Sequence, residues 1–154
     1  FYLQTLNQEY LNVGLPYAEK QWDLPTDSVL TETGNKFYQQ GYSWQTRLWI
    51  GDMYMITMVQ SQASRATGDK KYLERAAREM VFYLDELQQP NGLFFHAPDV
   101  PFFWGRGNGW MAAGKNHPKL TVFNFIFMKK TAYGWRQCPF RPESVTDLGM
   151  VVLM

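Results

Sequence analysis

Residues 49–73 read WIGDMYMITMVQSQASRATGDKKYL, and this stretch contains the join between two amphipathic helices. Gly68 suits the position after a helix end, and Asp69 suits the N-cap of the helix that follows. Apolar side chains recur every three or four residues on both sides, which predicts one helix over about 44–67 and another over 69–89. Two long helices joined by so short a turn form an antiparallel helical hairpin.

The two apolar stripes define the face that the hairpin buries. They comprise Leu48, Met53, Ile56, Val59, Ala63 and Ala66 in the first helix, and Leu73, Ala76, Ala77, Met80, Leu84 and Leu87 in the second. The sequence Pro-Asn-Gly at 90–92 is expected to end the second helix.

The segments before and after the hairpin are less regular. Residues 2–22 predict a helix that is interrupted by the Gly-Leu-Pro sequence at 14–16. Residues 23–43 and 90–109 predict two long loops, the second with an extended piece at 93–96. Loops of this length are usually functional, so any chemistry is expected beside the ends of the hairpin.

The last part of the chain predicts a helix that starts near Asn108 and a second, apolar helix over about 120–133. An irregular tail is expected from 139 to the segment 148–154. No linker composition divides the chain, so a single domain over residues 1–154 is predicted.

Composition excludes several classes of function. The 154 residues carry a net charge of +1, which gives no electrostatic case for binding nucleic acid or a membrane surface. No apolar run reaches the length of a membrane span, and no signal-peptide pattern is present, which leaves a cytoplasmic or periplasmic location open. One cysteine, Cys138, and an isolated His117 offer no metal-ligand spacing, so neither a metal nor another cofactor is expected. The aromatic content of 17% suits a large core or a carbohydrate cleft equally well.

Chemistry-bearing residues concentrate in and around FFWGRGNGW, residues 102–110. Its three glycines predict a shaped loop that carries one cation, Arg106, which could pair with a ligand carboxylate or bond loop carbonyls. The spacing is not that of a dinucleotide-binding loop. His96 could donate to a ligand hydroxyl or be satisfied beneath the loop. Asp52, in the first turn of the long helix, could complement the helix dipole or act as an acid or base.

Residues 49–73, together with LQQPNGLFFHAPDVPFFWGRGNGWMAAG at 87–114, resemble the unsaturated uronyl hydrolases. These are glycoside hydrolase family 105, the unsaturated rhamnogalacturonyl hydrolases, and the related family 88, the unsaturated glucuronyl hydrolases. The resemblance is strongest over 17–114, with a weaker echo at 133–144. It implies an all-α fold, an (α/α)6 barrel of helical hairpins, of which this chain represents about half.

The resemblance also implies a substrate and a mechanism. Family members remove a Δ4,5-unsaturated uronic acid from the non-reducing end of lyase-generated oligosaccharides without a metal. An aspartate protonates the double bond and activates a water that adds at C5, and the resulting hemiketal opens. The residues that the resemblance assigns to the pocket are Trp49, His96, Trp104, Arg106 and Trp110.

The chain departs from the family at the proton donor. The family aspartate stands two positions after the tryptophan, and here that position is Gly51. Asp52 is adjacent, but on a helix it is rotated by about 100°. Three interpretations therefore stay open: an active hydrolase with a substituted site, a non-catalytic saccharide-binding remnant, and a helical scaffold that self-associates through an exposed half-barrel face. The preferred uronide also stays open.

Overall fold

The computed structural model describes residues 1–115, with only the backbone described at 114 and 115. Helices and one small hairpin follow each other in the order α1 (Tyr2–Thr5), α2 (Gln8–Lys20), α3 (Glu32–Gln39), α4 (Ile50–Thr67), α5 (Lys70–Leu87), β1 (Phe95–Ala97), β2 (Val100–Phe103) and α6 (Gly105–Lys115). The predominance of helix confirms the predicted all-α class. The expectations for His117, Cys138 and the segments from 120 onward lie outside the described residues.

The turn between α4 and α5 forms as predicted. Gly68 adopts the left-handed conformation at φ 75°, and its N–H donates to the carbonyl of Ser64. The Asp69 carboxylate accepts a hydrogen bond from the backbone N–H of Lys71 at 2.9 Å and so caps α5. The two helices then pack along their apolar stripes as an antiparallel pair.

The start of α4 differs from the prediction, because the helix begins at Ile50 rather than near residue 44. Leu48 is left-handed at φ 58° and Trp49 is extended, so the chain turns into the helix there. A buried carboxylate on α5 holds the preceding segment in a non-helical path. Glu79 accepts hydrogen bonds from the backbone N–H of Ser43 at 2.7 Å and from the Thr46 hydroxyl at 3.0 Å.

Full burial of Glu79 raises the pKa of its carboxyl from an ordinary 4.5 to about 7, although the hydrogen bonds from Ser43 and Thr46 act in the opposite direction. Between these two pH values the folded protein binds a proton more tightly than the unfolded chain does. The stabilisation that this proton provides is complete below pH 4.5 and is lost as the pH rises to about 7.

We therefore expect Glu79→Gln to flatten the dependence of stability on pH. The native protein should lose about 3 kcal/mol of unfolding free energy between pH 4.5 and 7 that the variant does not lose. An amide can still accept from Ser43 and donate to Thr46. Urea unfolding at several pH values measures the difference. Glu74→Gln, an exposed change on the same helix, should keep the native slope, and identical slopes for native protein and Glu79→Gln would refute the assignment.

The predicted break at 14–16 is wrong, because α2 runs through Pro16. Pro16 and Asn12 are both exposed, so the carbonyl that loses its helical partner at Asn12 can be hydrated instead. The interruption of the helical segment instead lies between α1 and α2. Leu6 is left-handed at φ 56°, and the Asn7 side chain caps α2 by accepting from the N–H of Glu9.

The predicted loop over 23–43 contains a helix, α3. Its start is a side-chain cap, in which the Thr31 hydroxyl accepts from the N–H of Gly34 at 3.1 Å. Its one buried side chain, Phe37, meets the edge of Phe82 at a ring-centroid distance of 5.0 Å. A single buried aromatic gives too weak a periodic pattern to reveal so short a helix.

The main core lies where α4, α5 and α6 meet. Its buried side chains are Phe37, Leu48, Ile50, Met53, Ala77, Met80, Tyr83, Leu84, Leu87, Phe94 and Met111. Helix α2 exposes Tyr10, Val13 and Tyr17 at helical spacing, and Val13 is 67% exposed. The expected self-association through an exposed apolar face would use such a surface and stays a prediction. No helix within residues 1–115 is long and apolar enough to cross a membrane.

Candidate functional site

The glycine-rich stretch at 105–109 is helical, contrary to the predicted shaped loop, and α6 begins at Gly105 rather than near Asn108. The close packing around position 107 explains why a glycine is needed there. A Cβ atom at this position would overlap the Ile50 side chain and lie 2.8 Å from Trp104 Cε3. Glycine thus lets α6 approach the first turn of α4. At Gly105 and Gly109 a Cβ would meet nothing within 4 Å.

Asn108 connects α6 to the strand hairpin. Its amide nitrogen donates to the carbonyl of Phe94 at 3.0 Å, and its amide oxygen accepts from the N–H of Phe94 at 2.9 Å. The same nitrogen also donates to the carbonyl of Trp104 at 3.1 Å. Asn108 therefore fixes Phe94, the residue before β1, against the start of α6, a role that the sequence did not reveal.

The strand hairpin presents His96. Strands β1 and β2 pair antiparallel with Phe95 opposite Phe103 and Ala97 opposite Val100, with an irregularity between the two pairs. The extended piece predicted at 93–96 therefore lies at 95–97, and the predicted loop over 90–109 contains a hairpin and the start of α6.

Three aromatic rings surround the His96 imidazole. Phe102 stacks on it with ring centroids 5.5 Å apart, Trp104 meets it edge-on at 5.0 Å, and Trp49 lies at 5.5 Å. We refer to His96, Trp49, Phe102 and Trp104 as the His96 cluster. Within the described residues, the buried Nδ1 atom of His96 has no hydrogen-bond partner. Trp49 and Phe102 are 47% and 52% exposed, so the cluster opens to solvent.

Arg106 lies at the edge of this cluster. Its Cζ atom is 4.4 Å from the centroid of the Trp104 ring, a cation–π contact, and the side chain is exposed. In the part of the chain that the structure describes, its guanidinium pairs with no carboxylate. The donors of Arg106 therefore remain available to an anion beside Trp104.

Trp110 lies elsewhere along α6 and stacks on Tyr54 of α4 with ring centroids 4.6 Å apart. Gly51, one helical turn before Tyr54, faces the cluster, since a Cβ there would be 3.9 Å from Trp104 Cζ3. The structure therefore places Gly51 against the His96 cluster and Trp110 next to a different aromatic ring. Sequence reasoning did not assign Phe102 or Tyr54 to the site, although both lie within the stretches that it singled out.

Asp52 is engaged with Arg47 and not with the His96 cluster. Arg47 Nε donates to Asp52 Oδ2 at 2.9 Å, and Arg47 Nη2 donates to Oδ1 at 2.7 Å. The guanidinium also lies over the Trp49 ring, with Cζ 4.8 Å from the ring centroid. Among residues 1–115, no group of three or more histidine, cysteine or acidic side chains is arranged to hold a metal ion.

A model of Glycosyl Hydrolase Family 88 matches residues 2–116. The chain belongs to this family. An unsaturated 3S-rhamnoglycuronyl hydrolase of Alteromonas sp. (strain LOR) is 31% identical over 91 residues. That match covers 53% of this chain and 22% of the relative, so the chain spans about a fifth of the length of the curated relative. No solved structure matches.

Membership of family 88 confirms the resemblance that the sequence motifs suggested. The structure shows the surroundings of position 51, where the chain departs from the family. Gly51, which stands where the resemblance expects an aspartate, lies against Trp104. The neighbouring carboxylate of Asp52 is held by Arg47.

Proposed function

We propose that the His96 cluster and Arg106 bind the terminal sugar acid of an unsaturated glycuronyl oligosaccharide, and that the chain serves the hydrolysis of such oligosaccharides. The observation that carries the proposal is the buried, unpartnered Nδ1 of His96 among three aromatic rings, with an exposed arginine against one of them.

Each part of this arrangement matches a part of a sugar acid. Arg47 lies over the Trp49 ring and His96 stacks on Phe102, and the parts of these two rings that stay exposed suit the flat C–H faces of a pyranose ring. Nδ1 of His96 can exchange a hydrogen bond with a sugar hydroxyl, which would satisfy the buried atom. The planar fork of Arg106 can pair with both oxygens of a uronate carboxylate.

The reaction implied by the family needs a proton at C4 and a hydroxyl at C5, after which the hemiketal opens and the glycosidic oxygen leaves with the released sugar. Gly51 has no group that transfers a proton, and Arg47 occupies both oxygens of Asp52. This observation favours a second candidate function, saccharide binding with little or no turnover by the chain itself.

One experiment tests the proposal and separates its two forms. The chain is mixed with an unsaturated disaccharide prepared with a polysaccharide lyase, and binding is followed by calorimetry. The ultraviolet absorbance of the conjugated double bond reports turnover in the same sample. Binding with loss of absorbance supports the hydrolase, and binding without it supports the second candidate. Absence of binding would contradict the proposed site.

A further inference from the structure

We infer that Arg47 and Asp52 are positioning residues that hold the Trp49 ring beside His96, and that Asp52 acts through Arg47 rather than as an acid. Arg47 contacts both the Asp52 carboxylate and the Trp49 ring. Only the expected effect on ligand affinity rests on the proposed function, because the placement of Trp49 can be measured without ligand.

The Trp49 ring needs neighbouring side chains to hold it, because its backbone position alone does not fix its orientation. Trp49 is the N-cap of α4 and its side chain makes no capping hydrogen bond. It follows Leu48, whose left-handed backbone turns the chain toward the helix. The ring is 47% exposed, and within the described residues it contacts Arg47 and His96.

The bidentate pair of Arg47 and Asp52 fixes the plane of the Arg47 guanidinium, which lies over the Trp49 ring. Arg47 is 60% exposed and has many rotamers open to it, whereas the Asp52 side chain is 16% exposed and belongs to the first turn of α4. Two parallel hydrogen bonds orient a planar guanidinium more tightly than one charge contact does. Asp52 thereby sets the orientation of Arg47, and Arg47 sets that of Trp49.

The chain contains a matched control at the opposite end of the hairpin. Arg75 pairs with Glu19 at 3.0 Å, and its Cζ lies 4.8 Å from the centroid of the Trp22 ring. This second group also joins an arginine, a carboxylate and a tryptophan, but Arg75 makes a single hydrogen bond to Glu19, which also bonds Lys71 and Tyr72, and the group does not include His96. Glu19→Gln therefore breaks a comparable group without touching Trp49.

The test uses the NMR resonance of the Trp49 indole N–H, assigned by its loss in Trp49→Phe. Arg47→Met and Asp52→Asn should each move or broaden this resonance, and the double variant should match either single variant. Arg47→Lys should not restore it, since lysine lacks the fork. An unchanged resonance in Asp52→Asn, or an equal change in Glu19→Gln, would overturn the inference.

Affinity for the unsaturated disaccharide gives the second readout. Each single variant should weaken binding by roughly three- to tenfold, again without further loss in the double variant. If turnover is measurable, KM should rise while kcat holds. Loss of kcat in Asp52→Asn with an unmoved Trp49 resonance would make Asp52 the acid and refute its positioning role. A moved resonance with no binding in any protein would support the inference and contradict the proposed function.

Discussion

Gly107→Ala is expected to destabilise the protein by about 3 kcal/mol, the largest loss that any single methyl group should cause here. The added Cβ would overlap the Ile50 side chain and come within 2.8 Å of Trp104 Cε3. Ile50 is fully buried and has little room to move, so we expect the overlap to push α6 away from α4. That movement would also shift Trp104, and binding of the sugar acid should weaken together with stability. Urea unfolding measures the first effect and calorimetry the second.

Gly109→Ala is the matched control, because it adds the same methyl group to the same helix. A Cβ at Gly109 would meet nothing within 4 Å, so the variant should gain up to about 1 kcal/mol from its higher helix propensity. Equal stability of the two variants would show that close packing of α6 on α4 does not explain the glycine at 107.

Gly51→Asp is expected to raise turnover of the unsaturated disaccharide by about 10²–10⁴, the usual contribution of a general acid–base group. The substitution restores the carboxylate at the position where the family resemblance expects it. Room exists for the change, since the new Cβ would lie at an ordinary contact distance of 3.9 Å from Trp104 Cζ3. An acidic side chain also suits the first turn of α4.

Gly51→Asn separates the effect of a carboxylic acid from that of a side chain of the same size. Asparagine has nearly the same shape as aspartate but cannot donate a carboxyl proton. Loss of ultraviolet absorbance should speed up in Gly51→Asp and stay at the native rate in Gly51→Asn. Equal rates in the two variants would show that position 51 does not supply the proton.

The features that the sequence predicted correctly have local causes. The turn between α4 and α5 depends on the positive φ of Gly68 and on a cap formed by Asp69 two residues from its partner. The start of α4 was misplaced because its cause is distant: Glu79 holds Ser43 and Thr46 across more than thirty residues of chain. A pattern of apolar residues does not reveal a hydrogen bond between residues so far apart in the sequence.

In the candidate site, too, the sequence predicted some features and did not reveal those that depend on contacts formed only in the fold. Motif resemblance led to His96, Trp104 and Arg106, which the structure brings together. The glycines beside them predict a shaped loop but belong to α6, because the need for Gly107 arises from Ile50, which is far away in the sequence. The sequence also does not reveal the pairing of Asp52 with Arg47, since the two lie five positions apart and the helix begins between them.

The central claim, that this cluster binds a sugar acid through Arg106, is tested most directly by one set of calorimetric titrations. Native protein and Arg106→Gln are each titrated with the unsaturated disaccharide and with its uronate methyl ester, which has the same ring but no charge. We expect the substitution to weaken binding of the acid by about tenfold and to leave binding of the ester unchanged. Equal losses for acid and ester, or no loss for either, would contradict the claim.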